Sequence, residues 1–409
     1  MLRVYDFFVK MMNKYFLFLF FSFSTMLFSK QIDLDIKAKS ALLINMDNGC
    51  ILYEKNKDSL VYPASITKIA SVLYVLEHEK DVFNKKCIAS QEALKVFSPK
   101  VRYENIYREK PYILQSDGTT LWLLKGEVLP LSSLLYGMMI VSANDAANVV
   151  AENVGGSIPL FIEKMNVYLK SIGCQNTCFY NPHGLHYPKH VTTAYDIAKI
   201  TQRALKIPFF VEMVSSLSFV LPKSNMQKEK EYKQYNRLLI KDSSCYYPLA
   251  FGVKTGVTDV AGYNLVASAK KEGRTLIAVL LGYEENLDRY NDAKHLFEKA
   301  FLEEKKQEKI VEKDKIFSFR IQGSKTPLYA FIKEDLIYEY FPSEREKVRA
   351  FVQWDKLTLP IQKGQKVGKV YLINPREKKI EEKEIFAKNQ VQKTFLFSFK
   401  QFFQRFNKV

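Results

Sequence analysis

Strand-like runs lie near both ends of the first three hundred residues and helical spacing fills the stretch between them, so any sheet has to be assembled from distant parts of the chain. From Ile36 to Tyr53 the sequence is apolar-rich around Asp47-Asn48-Gly49, a turn signal between Ala41–Ile44 and Ile51–Tyr53 that predicts a hairpin. Helical patterns follow at 64–79 and 143–172, the second broken by Gly155-Gly156 and ended by Gly173. Phe251–Lys254, Tyr263–Ala269 and Thr275–Leu281 are β-rich runs separated by polar turns, and a helical pattern spans Asp288 to Phe301. The plan is α+β. A charged stretch, LEEKKQEKIVEKDK, then opens a second unit with strand-like runs at Lys315–Ile321 and Lys369–Ile373.

The 409 residues carry 61 Lys+Arg against 44 Asp+Glu, a formal charge of +17, with 47% hydrophobic residues. That composition is globular, long enough for two or three domains, and its charge attracts an acidic partner such as nucleic acid, anionic lipid or an anionic polymer. The ends narrow the choice. Arg3, Lys10 and Lys14 precede an uncharged run from Tyr15 to Phe28, the order of a secretory signal peptide; this run is shorter than the roughly 20 residues that span a bilayer, and an uncleaved N-terminal anchor is the alternative. At the other end, residues 387–409 contain no Asp or Glu. Val391, Phe395, Phe399, Phe402, Phe403 and Phe406 recur at steps that a helix would gather on one face, among Lys388, Lys393, Lys400, Arg405 and Lys408. A basic amphipathic helix of this kind lies flat on an anionic membrane surface. The preceding Arg376–Lys383 reads as a solvated linker.

The five cysteines, Cys50, Cys87, Cys174, Cys178 and Cys245, make no disulfide framework, because an odd number leaves one unpaired. Cys174 and Cys178 with His183, His186 and His190 lie in a turn-rich loop with no second cysteine pair at zinc-ribbon spacing, so neither metal nor cofactor is expected.

Three short motifs carry the chemistry: Ser65-Ile66-Thr67-Lys68, Ser142-Ala143-Asn144 and Lys254-Thr255-Gly256. On a helix Ser65 and Lys68 face the same side, within reach of a hydrogen bond. A serine hydroxyl becomes a nucleophile when a base removes its proton, and a lysine serves as that base when burial or a nearby cation, here Lys254, lowers its pKa. Together the motifs supply a nucleophile and base, a hydroxyl and amide to relay protons and hold substrate, and a cation with a hydroxyl to grip a carboxylate.

This ordered set is that of class A β-lactamases and penicillin-binding proteins. The flanks Pro63-Ala64, Asp145-Ala146, Asn181-Pro-His-Gly-Leu185 and Lys254-Thr-Gly-Val-Thr-Asp-Val-Ala-Gly-Tyr-Asn264 resemble the low-molecular-mass penicillin-binding proteins that act as D-alanyl-D-alanine carboxypeptidases. The resemblance covers residues 33–301. It implies a catalytic domain with an antiparallel sheet flanked by helices, at 31–302 after a signal peptide at 1–30. A smaller β-rich domain at 303–384 and a membrane-anchoring helix at 385–409 match that family in placement. It also implies that Ser65 attacks the carbonyl between two terminal D-alanines of a peptidoglycan stem and forms an acyl-enzyme, with Lys68 as general base. Ser142 would pass a proton to the leaving amine and Asn144 would hold the substrate amide. Lys254, Thr255 and Gly256, aided by Arg289, would bind the terminal carboxylate, and the backbone N–H groups of Ser65 and Val257 would form the oxyanion hole. β-Lactams would acylate the same serine. A membrane-peripheral location on the periplasmic face follows from the same resemblance.

Two other activities share these residues. A class A β-lactamase needs a Glu-x-x-x-Asn element to hydrolyse its acyl-enzyme, and Glu163-Lys-Met-Asn166 has the wrong spacing. A DD-endopeptidase acting on cross-links differs only on the acceptor side of the substrate and stays open as the alternative. Nucleic-acid binding would account for the charge but not for the motifs.

Overall fold

The computed structural model describes residues 32–98, 100 and 108–394. The signal segment and the stretch from Phe395 onward, with most of the proposed anchor face, lie outside the described residues. Residues Gln31–Leu302 form one compact unit, and the chain from Glu303 belongs to another.

In the first unit, β1 (Ser40–Asn45) and β2 (Ile51–Lys55) form the expected hairpin, followed by a 3-10 turn at Ala64–Ile66 and helix α1 (Thr67–His78). Short strands β3 (Lys86–Ile88), β4 (Val96–Phe97), β5 (Leu114–Gln115) and β6 (Val128–Pro130) lead to a helical layer. Its members are α2 (Leu131–Ile140), α3 (Asn144–Gly155), α4 (Ile158–Ser171), α5 (Ala194–Ala204) and α6 (Pro208–Ser215). A small hairpin, β7 (Ser218–Leu221) and β8 (Lys230–Lys233), precedes the long strands β9 (Ala250–Thr258), β10 (Gly262–Lys271) and β11 (Arg274–Tyr283), and α7 (Asp288–Phe301) closes the unit.

The main sheet has the order β2-β1-β11-β10-β9, antiparallel throughout, so strands from the two ends of the unit meet at β1 and β11. Every residue of β11 is buried, because the sheet is covered on both faces. Ile277, Val279 and Leu281 face the helical layer while Leu276, Ala278 and Leu280 face α7, the period-two alternation of a strand. Helix α1 lies inside that layer and is buried from Thr67 to Val75. A helix apolar nearly all round has no solvent face, so Lys68 is carried into the core with it.

The second unit is a five-stranded antiparallel sheet, order β13 (Phe317–Phe319), β14 (Leu328–Ile332), β18 (Lys379–Ala387), β17 (Lys366–Ile373), β16 (Arg349–Trp354), with a separate pair made by β12 (Lys306–Val311) and β15 (Leu336–Tyr340). Two sequence expectations are corrected here. Arg376–Lys383 is not a linker but the turn between β17 and β18 and the start of β18. Its charges sit on the sheet face, where Lys366 pairs with Glu384 and Lys369 with Glu382 across the strands. Val391 does not belong to an anchor face, being fully buried and exchanging two 2.9 Å backbone hydrogen bonds with Ile361. No helix among the described residues is long and apolar enough to cross a membrane.

Candidate active site

The three motifs converge at the edge of the main sheet. Ser65 sits in the 3-10 turn that enters α1, and Lys68 follows one turn later with its side chain fully buried. The Lys68 amine lies 3.1 Å from Ser65 Oγ and 2.6 Å from both Asn144 Oδ1 and the His183 carbonyl. A neutral lysine has two N–H donors and one lone pair. The two carbonyl oxygens accept those donors and leave the lone pair for the serine hydroxyl. Burial first, and the charge of Lys254 second, push the Lys68 pKa well below the usual lysine range, while Asp145 opposes them.

Lys254 on β9 is likewise buried and donates to the Thr255 carbonyl at 2.9 Å. Burial and the neighbouring Arg289 guanidinium push its pKa down to about 7. Strand β9 runs tight against the serine turn: a methyl group on Gly256 would fall 3.0 Å from the Pro63 carbonyl and 3.1 Å from Ser65 N. Val257, the next residue, is exposed. Asn264 on the adjacent strand fixes this approach, since its amide donates to the carbonyls of Tyr62 and Pro63 and accepts from Gly282 N.

Ser142 is nearly buried and adopts a positive φ of 65°, an uncommon backbone for serine of the kind that collects at functional sites. Among the described residues no hydrogen bond ties its hydroxyl to Ser65, Lys68 or Lys254; its carbonyl accepts from Thr119 Oγ1 at 2.9 Å. Arg289 is buried rather than projecting toward solvent: Nη1 donates to the carbonyls of Gly256 and Asn264, and Nη2 to Asn286 and Tyr290. It stands behind β9 and acts on Lys254 through its charge.

Three contributors went unassigned in the sequence. The His183 carbonyl orients Lys68. Asp145 is buried and accepts backbone N–H groups from Leu121, Leu123 and Ala146, tying a loop to the start of α3. Gly184, at φ +92°, packs so closely that a β-carbon would come within 1.8 Å of the Ala64 carbonyl oxygen. The signal available for Asp145 was an acid among the small apolar residues that follow Ser142-Ala143-Asn144.

Two of the histidines near Cys174 and Cys178 are tied into the protein by hydrogen bonds. His190 Nε2 meets Thr67 Oγ1 at 2.8 Å and its Nδ1 accepts from Tyr180 N, and burial pushes its pKa down to about 3, so it stays neutral. His183 Nε2 meets the Tyr112 carbonyl and its Nδ1 accepts from Leu185 N. None of the five cysteines forms a disulfide.

Gly184→Ala should therefore cost far more than Gly156→Ala, whose φ is similarly positive but whose added methyl would meet nothing within 4 Å. The backbone strain common to both is about 1–2 kcal/mol, and overpacking adds roughly 1–3 kcal/mol at Gly184 alone. Thermal unfolding and the rate of penicillin labelling would check this. Equal melting temperatures for the two variants would refute the close approach.

A family model described as D-alanyl-D-alanine carboxypeptidase matches residues 26–285, and one described as the C-terminal domain of penicillin-binding protein 5 matches residues 306–393. The D-alanyl-D-alanine carboxypeptidase DacF of Bacillus subtilis is 28% identical over 366 residues, covering 89% of this chain and 88% of that protein. DacA of Haemophilus influenzae is 29% identical over 343 residues, 82% and 80% of the respective chains. Among solved structures, penicillin-binding protein 5 from Haemophilus influenzae superposes with a TM-score of 0.59 at 27% identity, over 88% of this chain and 99% of that one.

Proposed function

The chain belongs to the D-alanyl-D-alanine carboxypeptidase family of low-molecular-mass penicillin-binding proteins, and from that premise we propose that it removes the terminal D-alanine from peptidoglycan stem peptides through an acyl-enzyme on Ser65. The observation that carries the residue assignment is the Lys68 amine, saturated by two carbonyl acceptors and directed at Ser65 Oγ. Lys68 takes the hydroxyl proton as Oγ attacks the carbonyl carbon. The backbone N–H groups of Ser65 and Val257 receive the oxyanion, and Ser142 delivers a proton to the departing D-alanine amine as the C–N bond breaks. Water then hydrolyses the ester.

Lys254 and Thr255 hold the terminal carboxylate, with Gly256 giving the strand its close approach. Arg289 supports that grip from behind, through the Gly256 carbonyl and its own positive field. Asn144 keeps Lys68 in place through Oδ1 and has its amide nitrogen left for the substrate. Penicillin acylates Ser65 in the same geometry, opening its ring without releasing a leaving group.

The direct test is D-alanine release from an acetylated peptide ending in Lys-D-Ala-D-Ala. Release at a rate that saturates with substrate is expected. A protein that binds penicillin but releases no D-alanine would overturn the carboxypeptidase assignment.

We also propose that residues 1–30 direct export and that the protein is held at the periplasmic face of the cytoplasmic membrane by its basic C-terminal tail. The catalytic domain at 31–302 and the β-rich domain after it would then work at that surface. Because β18 and the pairing of Val391 carry the β-rich domain past residue 384, the anchoring segment is confined to the stretch after Thr394. Six phenylalanines and three basic residues without an acid in 395–409 support this. Deleting 395–409 should move the mature protein into the soluble fraction, and retention at the membrane would assign anchoring to Tyr15–Phe28 instead.

A further inference from the structure

The N–H of Ser65 belongs to a planar peptide unit whose other polar end is the Ala64 carbonyl. In a trans peptide the C=O and N–H point opposite ways, so whatever holds the Ala64 oxygen also aims the Ser65 N–H. Ala64 is buried at φ +49°, in the left-handed region that a residue with a β-carbon avoids. Such a backbone persists only where its surroundings enforce it.

Three groups converge on that oxygen. The Thr67 backbone N–H reaches it from within the turn, and Thr67 Oγ1 donates to it at 2.9 Å. Gly184 packs against it and leaves no space for a β-carbon. Thr67 is fully buried, so the direction of its hydroxyl proton is set by protein groups and not by water. The Tyr180 N–H donates to His190 Nδ1 at 3.0 Å, which puts the proton of the neutral imidazole on Nε2, and Nε2 lies 2.8 Å from Thr67 Oγ1. Nε2–H therefore donates to the Thr67 hydroxyl, whose own single proton is left for the Ala64 oxygen. Burial first, then the neighbouring His186 and Lys68, push the His190 pKa down to about 3, so the ring is neutral near pH 7 and the chain keeps one direction. His190 is fixed in turn. Its ring stacks on Phe179 with centroids 4.7 Å apart, and the two residues after it are paired, Val191 with Cys178 and Thr192 with Val61 just upstream of the serine turn.

We propose that His190 and Thr67 are positioning residues for acyl transfer: through the directed chain of Tyr180 N–H, His190, Thr67 and the Ala64 carbonyl they hold the Ala64–Ser65 peptide so that the Ser65 N–H faces the developing oxyanion. Donation to the carbonyl also polarises that peptide and strengthens its N–H as a donor. This rests on the serine-peptidase reading, in which the Ser65 N–H receives the oxyanion. The Ser-x-x-Lys turn then carries two hydroxyls with separate tasks, Ser65 to attack and Thr67 to aim.

The test uses the full-length protein, with D-alanine release, penicillin acylation and melting temperature measured on Thr67→Val, Thr67→Ser, His190→Phe and His190→Gln. Thr67→Val keeps the shape and removes the donor. It should lower kcat and the rate of penicillin acylation roughly 10–100-fold, short of the roughly 10²–10³ that loss of an oxyanion donor costs, with KM within about twofold. His190→Phe should act in the same sense by leaving the Thr67 hydroxyl undirected. Thr67→Ser retains the hydroxyl and His190→Gln retains a donor and an acceptor, so both should recover most of the rate. The decisive readout is the infrared band of the ester carbonyl in the penicillin acyl-enzyme. A carbonyl that loses a hydrogen bond absorbs at higher frequency, so the band should move up in Thr67→Val and return in Thr67→Ser. Unchanged rates in a folded Thr67→Val, or slower rates with the ester band unmoved, would overturn the proposal, the second result making Thr67 a packing residue. Should Thr67→Val not fold, nitrogen NMR of the wild type with labelled histidine decides: a proton on His190 Nε2 supports the chain, and one on Nδ1 reverses it and refutes the proposal. A wild type that penicillin acylates but that releases no D-alanine would overturn the carboxypeptidase reading alone, and the ester-band shift would still support the clamp.

Discussion

Ser65→Ala should abolish D-alanine release and covalent penicillin labelling together, with a fall of roughly 10⁴-fold or more, while the melting temperature barely moves. The substitution removes one atom. Ser65 lies at the turn into α1, only partly buried, and the packing around it is made by Ala64, Ile66 and Gly256 rather than by its hydroxyl. Lys68 loses one of three partners but keeps both carbonyl acceptors, so a neutral amine stays satisfied in the core. The effect on stability is therefore that of an ordinary small substitution, within about 1 kcal/mol. Activity has no such fallback, because no other hydroxyl lies within hydrogen-bond distance of Lys68 Nζ among the described residues. A surviving label on the folded variant would place the nucleophile elsewhere.

What the sequence made legible, and what it hid, divides along a physical line. The Ser65–Lys68 spacing was readable because a helical turn brings positions three apart together whatever surrounds them. The central strand was readable because a run buried on both faces, Thr275–Leu281, has almost no polar interruption. For Arg289 the resemblance implied a hand in carboxylate binding; its burial was legible from its phase with Ala293, Leu296, Phe297 and Ala300 on the buried stripe of α7. The charged run Arg376–Lys383 misled because opposite charges on neighbouring strands satisfy each other across a sheet face, so polarity there says nothing against a strand. The His183 carbonyl and the clamp made by Asn264 could not be read at all. Backbone acceptors carry no residue signature, and Asn264 meets Tyr62 only after some two hundred residues of chain have folded between them.

The sharpest chemical expectation concerns Lys68. Lys68→Arg keeps several donors for Asn144 and the His183 carbonyl but puts a permanent cation in place of a neutral amine, since a guanidinium does not release its proton under these conditions and has no lone pair to offer. Acylation of Ser65 should fall by roughly 10²–10⁴-fold, the usual worth of a general base. In the wild type the same requirement sets the acid limb of the pH profile. Burial and Lys254 depress the Lys68 pKa, so the reactive neutral amine is populated well below the pH at which an exposed lysine would be, and kcat/KM rises as pH rises through that depressed value. Lys254 works in the opposite sense: it must be protonated to bind a carboxylate, and with its pKa pushed down to about 7 the grip weakens as pH climbs past neutrality. The product is a bell. Replacing the terminal carboxylate of the peptide by a carboxamide removes the partner of Lys254 but not the need for a neutral Lys68, so the alkaline limb should vanish and the acid limb remain. Loss of the acid limb with the carboxamide peptide, or an acid limb left unchanged in Lys68→Arg, would show that some other group removes the serine proton.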